Sequence, residues 1–249
     1  MSGLIGGSFY KYPEGLAVSV GIFDNTGVFY MSGYNPDIDT GAEETIWPVG
    51  GSWTPMAYGT ITAVSSSVND TAAGSGARTL EIIHLDTDGV ATTSTLDMDG
   101  TTPVVSVFST NGINKVKVIQ KNAGGGSNAG NITITATVGG STQAYIATGD
   151  SKSRQLIFNV PSTGQYYIKR VRVNTETTTN GVFVKMSQRI NGITYNELYS
   201  PTGGDGHFDS ELAFPFPLIP NAKVWFGIVT EEASNIFADG FIELVSVTS

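Results

Sequence analysis

The chain contains no cysteine, which excludes disulfide staples, thiolate metal sites and cysteine nucleophiles. Histidine is nearly absent too: His84 and His207 are the two in 249 residues, too few for the acid–base pairings on which most hydrolytic sites depend. Charge is scarce, with 14% Asp, Glu, Lys and Arg against ~25% in ordinary globular domains. The surface must therefore be covered by Ser, Thr, Asn and Gly. No apolar run reaches the ~18 residues of a membrane-spanning helix, and Met1-Ser2-Gly3-Leu4-Ile5-Gly6-Gly7 lacks the basic start and apolar core of a secretory leader. Synthesis and folding in the cytoplasm are expected. No stretch carries a sustained helical period.

The net charge of −9 argues against a nucleic-acid partner, and no membrane partner is expected. Its layout is uneven. Tyr12 to Ala77 holds seven acids and no Lys or Arg, Lys115 to Arg189 holds ten bases against Asp150 and Glu176, and Ile190 to Ser249 holds eight acids against Lys223. A basic middle between acidic flanks can pair within the chain, with a second copy, or with a charged partner.

What is present is β-prone residues between glycine turns. Gly59-Thr60-Ile61-Thr62-Ala63-Val64-Ser65, Arg78 to His84 and Asn131 to Val138 alternate, as half-buried strands do. Asp88-Gly89 is expected to close a hairpin between residues 80–85 and 90–96. Phe214-Pro215-Phe216-Pro217-Leu218-Ile219-Pro220 cannot be a central strand, because proline removes ladder donors, and it reads as an extended crossing connection. The expected fold is all-β: an extended N-terminal arm over 1–58, a small β-sandwich domain over 59–138, and a C-terminal jelly-roll or Greek-key β-sandwich over 139–249. The arm is turn-rich yet carries Phe9, Tyr10, Phe23, Phe29, Tyr30, Tyr34, Trp47 and Trp53, too apolar for a solvated linker. These side chains are candidates for binding a partner surface. Lys169, Arg170 and Arg172 are the basic candidates. Alternation puts Arg170 and Arg172 on one exposed face and Lys169 on the other.

Groups that could do chemistry are few. His84 reads as the polar face of a strand. Asp205, His207 and Asp209 alternate and could approach a cation, but a glycine-flanked surface loop explains them as well. The calcium-like fragments Asp86-Thr87-Asp88-Gly89 and Asp97-Met98-Asp99-Gly100 lack the later ligands. Gly74-Ser75-Gly76 and Gly124-Gly125-Gly126 read as loop tips, since no Lys-Ser/Thr pair or helix follows. No catalytic, cofactor or metal residues are assigned, and no enzyme activity is expected.

The stretch from Ser65-Ser66-Ser67-Val68-Asn69-Asp70 through Gly74-Ser75-Gly76-Ala77-Arg78-Thr79-Leu80-Glu81-Ile82, then Asp99-Gly100-Thr101-Thr102-Pro103-Val104-Val105 and Ala123-Gly124-Gly125-Gly126-Ser127-Asn128-Ala129-Gly130-Asn131-Ile132-Thr133-Ile134-Thr135, resembles a largely uncharacterised family of tailed-bacteriophage virion proteins common among marine phages. Gln155-Leu156-Ile157-Phe158-Asn159-Val160-Pro161, Tyr167 to Val173, Phe216-Pro217-Leu218-Ile219-Pro220 and Asp239-Gly240-Phe241-Ile242-Glu243-Leu244 are similar to the C-terminal domain of the same proteins. The resemblance implies a structural protein of the capsid decoration or cement type. Such a protein would bind the major capsid protein on the outer shell as a homotrimer, without cofactor. Two other functions stay open: a head- or tail-fibre adhesin stacking host glycans on Tyr166, Tyr167, Tyr195, Tyr199, Phe208 and Trp225, and a head–tail connector or tail component.

Overall fold

A computed structural model describes residues 26–39, 41–121, 127–175, 182–201, 207–230 and 236–247. Every regular element among them is a β-strand, sixteen in all, numbered here in chain order. One sheet runs β1 (Thr26–Ile38), β16 (Ile236–Val247), β11 (Gln165–Thr175), β14 (His207–Leu218). A second runs β10 (Ile157–Asn159), β15 (Lys223–Thr230), β12 (Val182–Ile190), β13 (Ile193–Pro201), and β2 (Glu43–Thr45) also pairs with β15.

The place of β2 explains the architecture. It pairs antiparallel with Gly227, Ile228 and Val229, while β10 pairs antiparallel with Lys223, Val224 and Trp225 of the same strand. At the junction the Phe226 carbonyl accepts from Ile46 N at 2.9 Å, and Phe226 N donates to the Leu156 carbonyl at 3.0 Å. β2 and β10 are thus two halves of one edge strand, broken where the chain leaves at Ile46 and returns at Leu156. Counted as one, they complete an eight-stranded antiparallel sandwich with strand order 1-8-3-6 over 2-7-4-5, which is a jelly roll. Alternation fills its interior: Ile168, Val171, Val173, Ile242 and Leu244 of the first sheet meet Val184, Met186, Val224, Phe226 and Ile228 of the second. Apolar burial of this kind contributes ~25 cal/mol per Å².

The insertion is a second sandwich with its own core. The sheet of β6 (Val104–Val105), β3 (Ile61–Ser65), β8 (Ile132–Ala136) and β9 (Thr142–Ile146) faces that of β5 (Ala91–Asp97), β4 (Ala77–Leu85) and β7 (Gly112–Lys121). Ile61, Leu80, Ile82, Val116, Ile132, Ile134 and Ile146 are buried between them. The hairpin expected at Asp88-Gly89 is present, with Gly89 at φ +74°. The Gly74-Ser75-Gly76 cluster is not an idle tip, while Gly124-Gly125-Gly126 lies outside the described residues. Asp70, fully buried, accepts hydrogen bonds from Ala77 N at 2.6 Å, Ala129 N at 2.8 Å, Gly130 N at 2.9 Å and Ser65 Oγ at 2.6 Å. It ties the Ser66–Gly76 loop to the start of β8. Gly76 has room for no side chain, because a Cβ there would lie 2.1 Å from Asp70 Oδ1.

The described residues correct four expectations. Residues 26–58 are not an arm: β1 is a strand of the first jelly-roll sheet, and Trp47 and Trp53 are buried at 3% and 4% exposure beside Ile157 and Trp225. The boundary near Gly139 falls inside the insertion, since β9 completes the β6-β3-β8 sheet. The proline-rich segment is an edge strand, with the ladder passing from Phe216–Ile168 directly to Glu211–Arg170. It is not central, as proline requires, but neither is it a connection. His84 is buried, stacked on Phe108 at 4.4 Å with Nε2 3.0 Å from Ser94 Oγ, and burial lowers its pKa.

The insertion is fixed to the jelly roll by polar contacts around the tryptophans. Asn114 Nδ2 donates to the Asn159 carbonyl at 2.9 Å, Asn159 N donates back to Asn114 Oδ1 at 2.6 Å, and Ser162 N donates to the Gly89 carbonyl. The Lys223 ammonium donates to the Met56 carbonyl. Burial there, with Arg189 nearby, brings the Lys223 pKa down to about 8. An unfolded lysine holds its proton to ~10.4, so between those values the unfolded chain binds more protons and stability rises with pH. Below the folded value both states are charged and the burial cost is fully present. Urea midpoints of the native chain should therefore gain on those of Lys223→Met as pH climbs from about 8 toward 10. Parallel curves would show that this amine is not desolvated.

Candidate interaction surface

Two-residue periodicity gives the first jelly-roll sheet an inner and an outer face. Register places Tyr30 opposite Glu243, Ser32 opposite Phe241, and Tyr34 opposite Asp239. On the other side of β16, Arg170 lies opposite Glu243, Arg172 opposite Phe241, and Asn174 opposite Asp239. β14 adds His207 beside Asn174 and Asp209 beside Arg172. Since Ile242, Leu244 and Ala238 point into the core, all of these residues look outward.

The face divides in two. Along β1 and β16 runs an aromatic strip: Tyr30 stacks on Phe241 at 5.4 Å, and Tyr34 on Phe237 at 6.3 Å. Tyr30 is 60% and Phe237 38% exposed. Arg154 of the insertion sits over the Tyr34 ring, 5.9 Å from its centre, and Tyr34 Oη lies 3.4 Å from Asp150 Oδ2. Burial, then the Asp150 charge, raises the Tyr34 pKa, so the phenol stays protonated and donates. Across β16, β11 and β14 runs a charged network. Arg170 grips Asp209 with Nε and Nη2 at 2.8 and 2.5 Å, Lys169 Nζ is 3.6 Å from Glu243, and Asn174 bridges Asp239 and His207 at 2.9 and 2.7 Å. The Arg170 hydrogen bonds hold the Asp209 carboxyl below its usual range, with the charges of Arg170, Arg172 and His207 acting in the same direction. The fork–fork geometry keeps that pair formed into mild acid.

Of the sequence candidates, Phe9, Tyr10 and Phe23 lie outside the described residues. Tyr30, Arg170 and Arg172 do share the outer face. Lys169 does not point away from them as alternation required: a bulge between Ile168 and Arg170 redirects it to Glu243. Phe29 belongs to the inner side, at the open end of the sandwich beside Tyr166. Trp47 and Trp53 are spent on the joint with the insertion. Tyr34, expected with the other aromatics of this segment to seek a surface, shares that face, and the candidates missed are Phe237, Phe241, Asp209 and Glu243. Burial alternates strictly along Ile236–Val247, but residue type does not, since Phe237, Phe241 and Val245 face outward and Gly240 and Ser246 inward, so no period in the sequence marked them. Among the described residues no three His, Asp or Glu side chains cluster to hold an ion; Asp205 lies outside them.

No protein-family model matches the chain, and no curated protein does. Among solved structures it is similar to the STIV MCP, with 8% identity over 88% of this chain and 97% of that one and a TM-score of 0.24. It is also similar to the infectious bursal disease virus VP2 subviral particle, with 11% identity over 90% and 71% and a TM-score of 0.25. A third is an insecticidal delta-endotoxin from Bacillus thuringiensis, with 8% identity over 94% and 55% and a TM-score of 0.24. Scores of this size carry no argument, and the jelly roll rests on strand order alone.

Proposed function

We propose that the chain is a virion structural protein of a tailed bacteriophage, a decoration or cement protein that binds the outer surface of the major capsid shell as a homotrimer and has no enzymatic role. The observation that carries this reading is the outer sheet face, where exposed aromatic pairs lie beside a dense arginine and carboxylate network. Such a face suits association: the aromatics supply buried area, and the charges set register and partner choice. The ordered strand motifs that resemble phage virion proteins support the same reading. Because Arg170 is already held by Asp209, Arg172, which is exposed beside that carboxylate, is the better candidate for reaching across to a capsid subunit.

One exposed ion pair is worth only ~0–1 kcal/mol, but a shell repeats it many times. Arg172→Gln should therefore lower occupancy on particles and lower the salt concentration at which the protein leaves them. Tyr30→Ser should lower occupancy with little change in salt response. Unchanged occupancy in both variants would show that this face is not the contact. The exposed aromatic pairs also suit glycan stacking, the chemistry of a fibre adhesin, and copy number separates the two readings.

A further inference from the structure

The sequence holds three Asn-Gly pairs, Asn111-Gly112, Asn180-Gly181 and Asn191-Gly192. In this dipeptide the backbone nitrogen of the second residue can attack the side chain of the first with least obstruction, because glycine has no Cβ. Asn180-Gly181 lies outside the described residues. The other two pairs sit in opposite surroundings. Asn111-Gly112 is locked: Asn111 N donates to the Leu85 carbonyl at 2.9 Å, and its Nδ2 to the Asp86 carbonyl at 3.2 Å. The Gly112 N–H, the group that would attack, already donates to Oγ1 of fully buried Thr110 at 3.0 Å. Packing there is tight, since a Cβ on Gly112 would lie 2.1 Å from Asn159 Oδ1. Asn191-Gly192 is open. It forms the two-residue turn between β12 and β13, with Ile190 opposite Ile193. Its φ values of 49° and 82° are both positive, as a type I′ turn requires. Both residues are exposed, a Cβ on Gly192 would meet nothing within 4 Å, and the following Ile193 is 58% exposed. With nothing packed over the turn, local opening there costs little.

We propose that Asn191 is a site of spontaneous covalent modification, a deamidation that the fold permits at this turn and blocks at Asn111. The Gly192 nitrogen gives its proton to water and bonds to Asn191 Cγ, once turn opening brings the two within the ~3–3.5 Å of a productive approach. The Cγ–Nδ2 bond breaks, and the carboxamide nitrogen leaves as ammonia with a proton taken back from water. One water molecule then opens the resulting five-membered imide. Addition at Cγ yields aspartate in an unchanged backbone. Addition at the main-chain carbonyl of residue 191 yields isoaspartate, in which the chain runs through Cβ and Cγ. Either product carries one more negative charge than the parent chain. Isoaspartate also lengthens the backbone of a loop whose geometry is set for two ordinary residues, so the Ile190–Ile193 end of the ladder has to loosen.

The test is site-resolved peptide mass spectrometry of the full chain aged in mildly alkaline buffer, once native and once in urea, with isoaspartyl methyltransferase labelling to separate the two products. In the native chain, conversion at Asn191 should exceed that at Asn111 about tenfold or more. Urea should bring the two sites together by releasing Asn111 from Leu85, Asp86 and Thr110. Equal conversion at the two sites in the native chain would overturn the proposal. So would an Asn191 that converts in urea but not in the native chain, because the closed turn would then be what keeps the Gly192 nitrogen away from Cγ.

Discussion

Asp70→Ala should destabilise the inserted sandwich by about 3–5 kcal/mol, the scale for breaking a buried charged hydrogen-bond network. The carboxylate is fully buried and accepts from three backbone N–H groups and one hydroxyl. Hydrogen bonds to a charged group are each worth about 1.5–3 kcal/mol, and the stranded donors add a desolvation cost. Asp70→Asn should cost less, about 2 kcal/mol, since its carbonyl oxygen can still serve Ala77 and Ala129 while its amide opposes the Gly130 N–H. The readout is site-resolved: amide exchange of β3, β4 and β8 should quicken in the order Asn, then Ala, while β11, β12 and β15 of the jelly roll keep their protection. Uniform loss over both sandwiches would mean that the insertion is not a separate cooperative unit. No loss in either variant would mean that the loop is held by something other than this carboxylate.

Gly33→Ala should be the most damaging single-methyl change in the jelly roll. A Cβ at residue 33 would lie 2.7 Å from the Ile46 carbonyl oxygen, 2.8 Å from Leu156 N and 2.9 Å from the Gln155 carbonyl carbon. All three are backbone atoms at the break in the edge strand, so no side chain can swing aside. Overpacking costs about 1–3 kcal/mol where neighbours can yield, and the upper end is expected here. Gly27→Ala is the matched control. Its Cβ would meet Ser246 Oγ at 3.0 Å and the Phe29 ring at 3.3 Å, atoms that can rotate, and its cost should stay below about 1 kcal/mol. A thermal midpoint for Gly33→Ala equal to that for Gly27→Ala would contradict the close passage of β1 over the joint.

These two sites show what can be read from a single sequence and what cannot. Local alternation located β3, β4 and β8 to within a few residues, because each has one wetter and one dry face, and the Asp88-Gly89 turn located β5. The all-β class followed from the same signal. Continuity was not legible. β2 and β10 are three residues each, too short to show a period, and they become one strand only through their common partner β15. Without that partner, 26–58 resembles an arm and Trp47 and Trp53 look like side chains in search of a neighbour. The neighbour is Trp225, far along the chain. Asp70 and its glycines look like an ordinary loop because the donors that surround the carboxylate come from Ala77, Ala129 and Gly130, brought together only by folding. On the outer face, Arg170 and Arg172 were placed together by counting alone, whereas the bulge that turns Lys169 toward Glu243 has no signature in the residues themselves.

The central claim is that this chain coats a capsid, and stoichiometry tests it most directly. Purified particles that carry the protein should be digested and its peptides quantified against those of the major capsid protein. A decoration protein is repeated with the shell lattice and should be present in a fixed ratio to the capsid subunit, hundreds of copies per particle. A few dozen copies, or copies that stay with detached tails or fibres when heads are removed, would contradict the account.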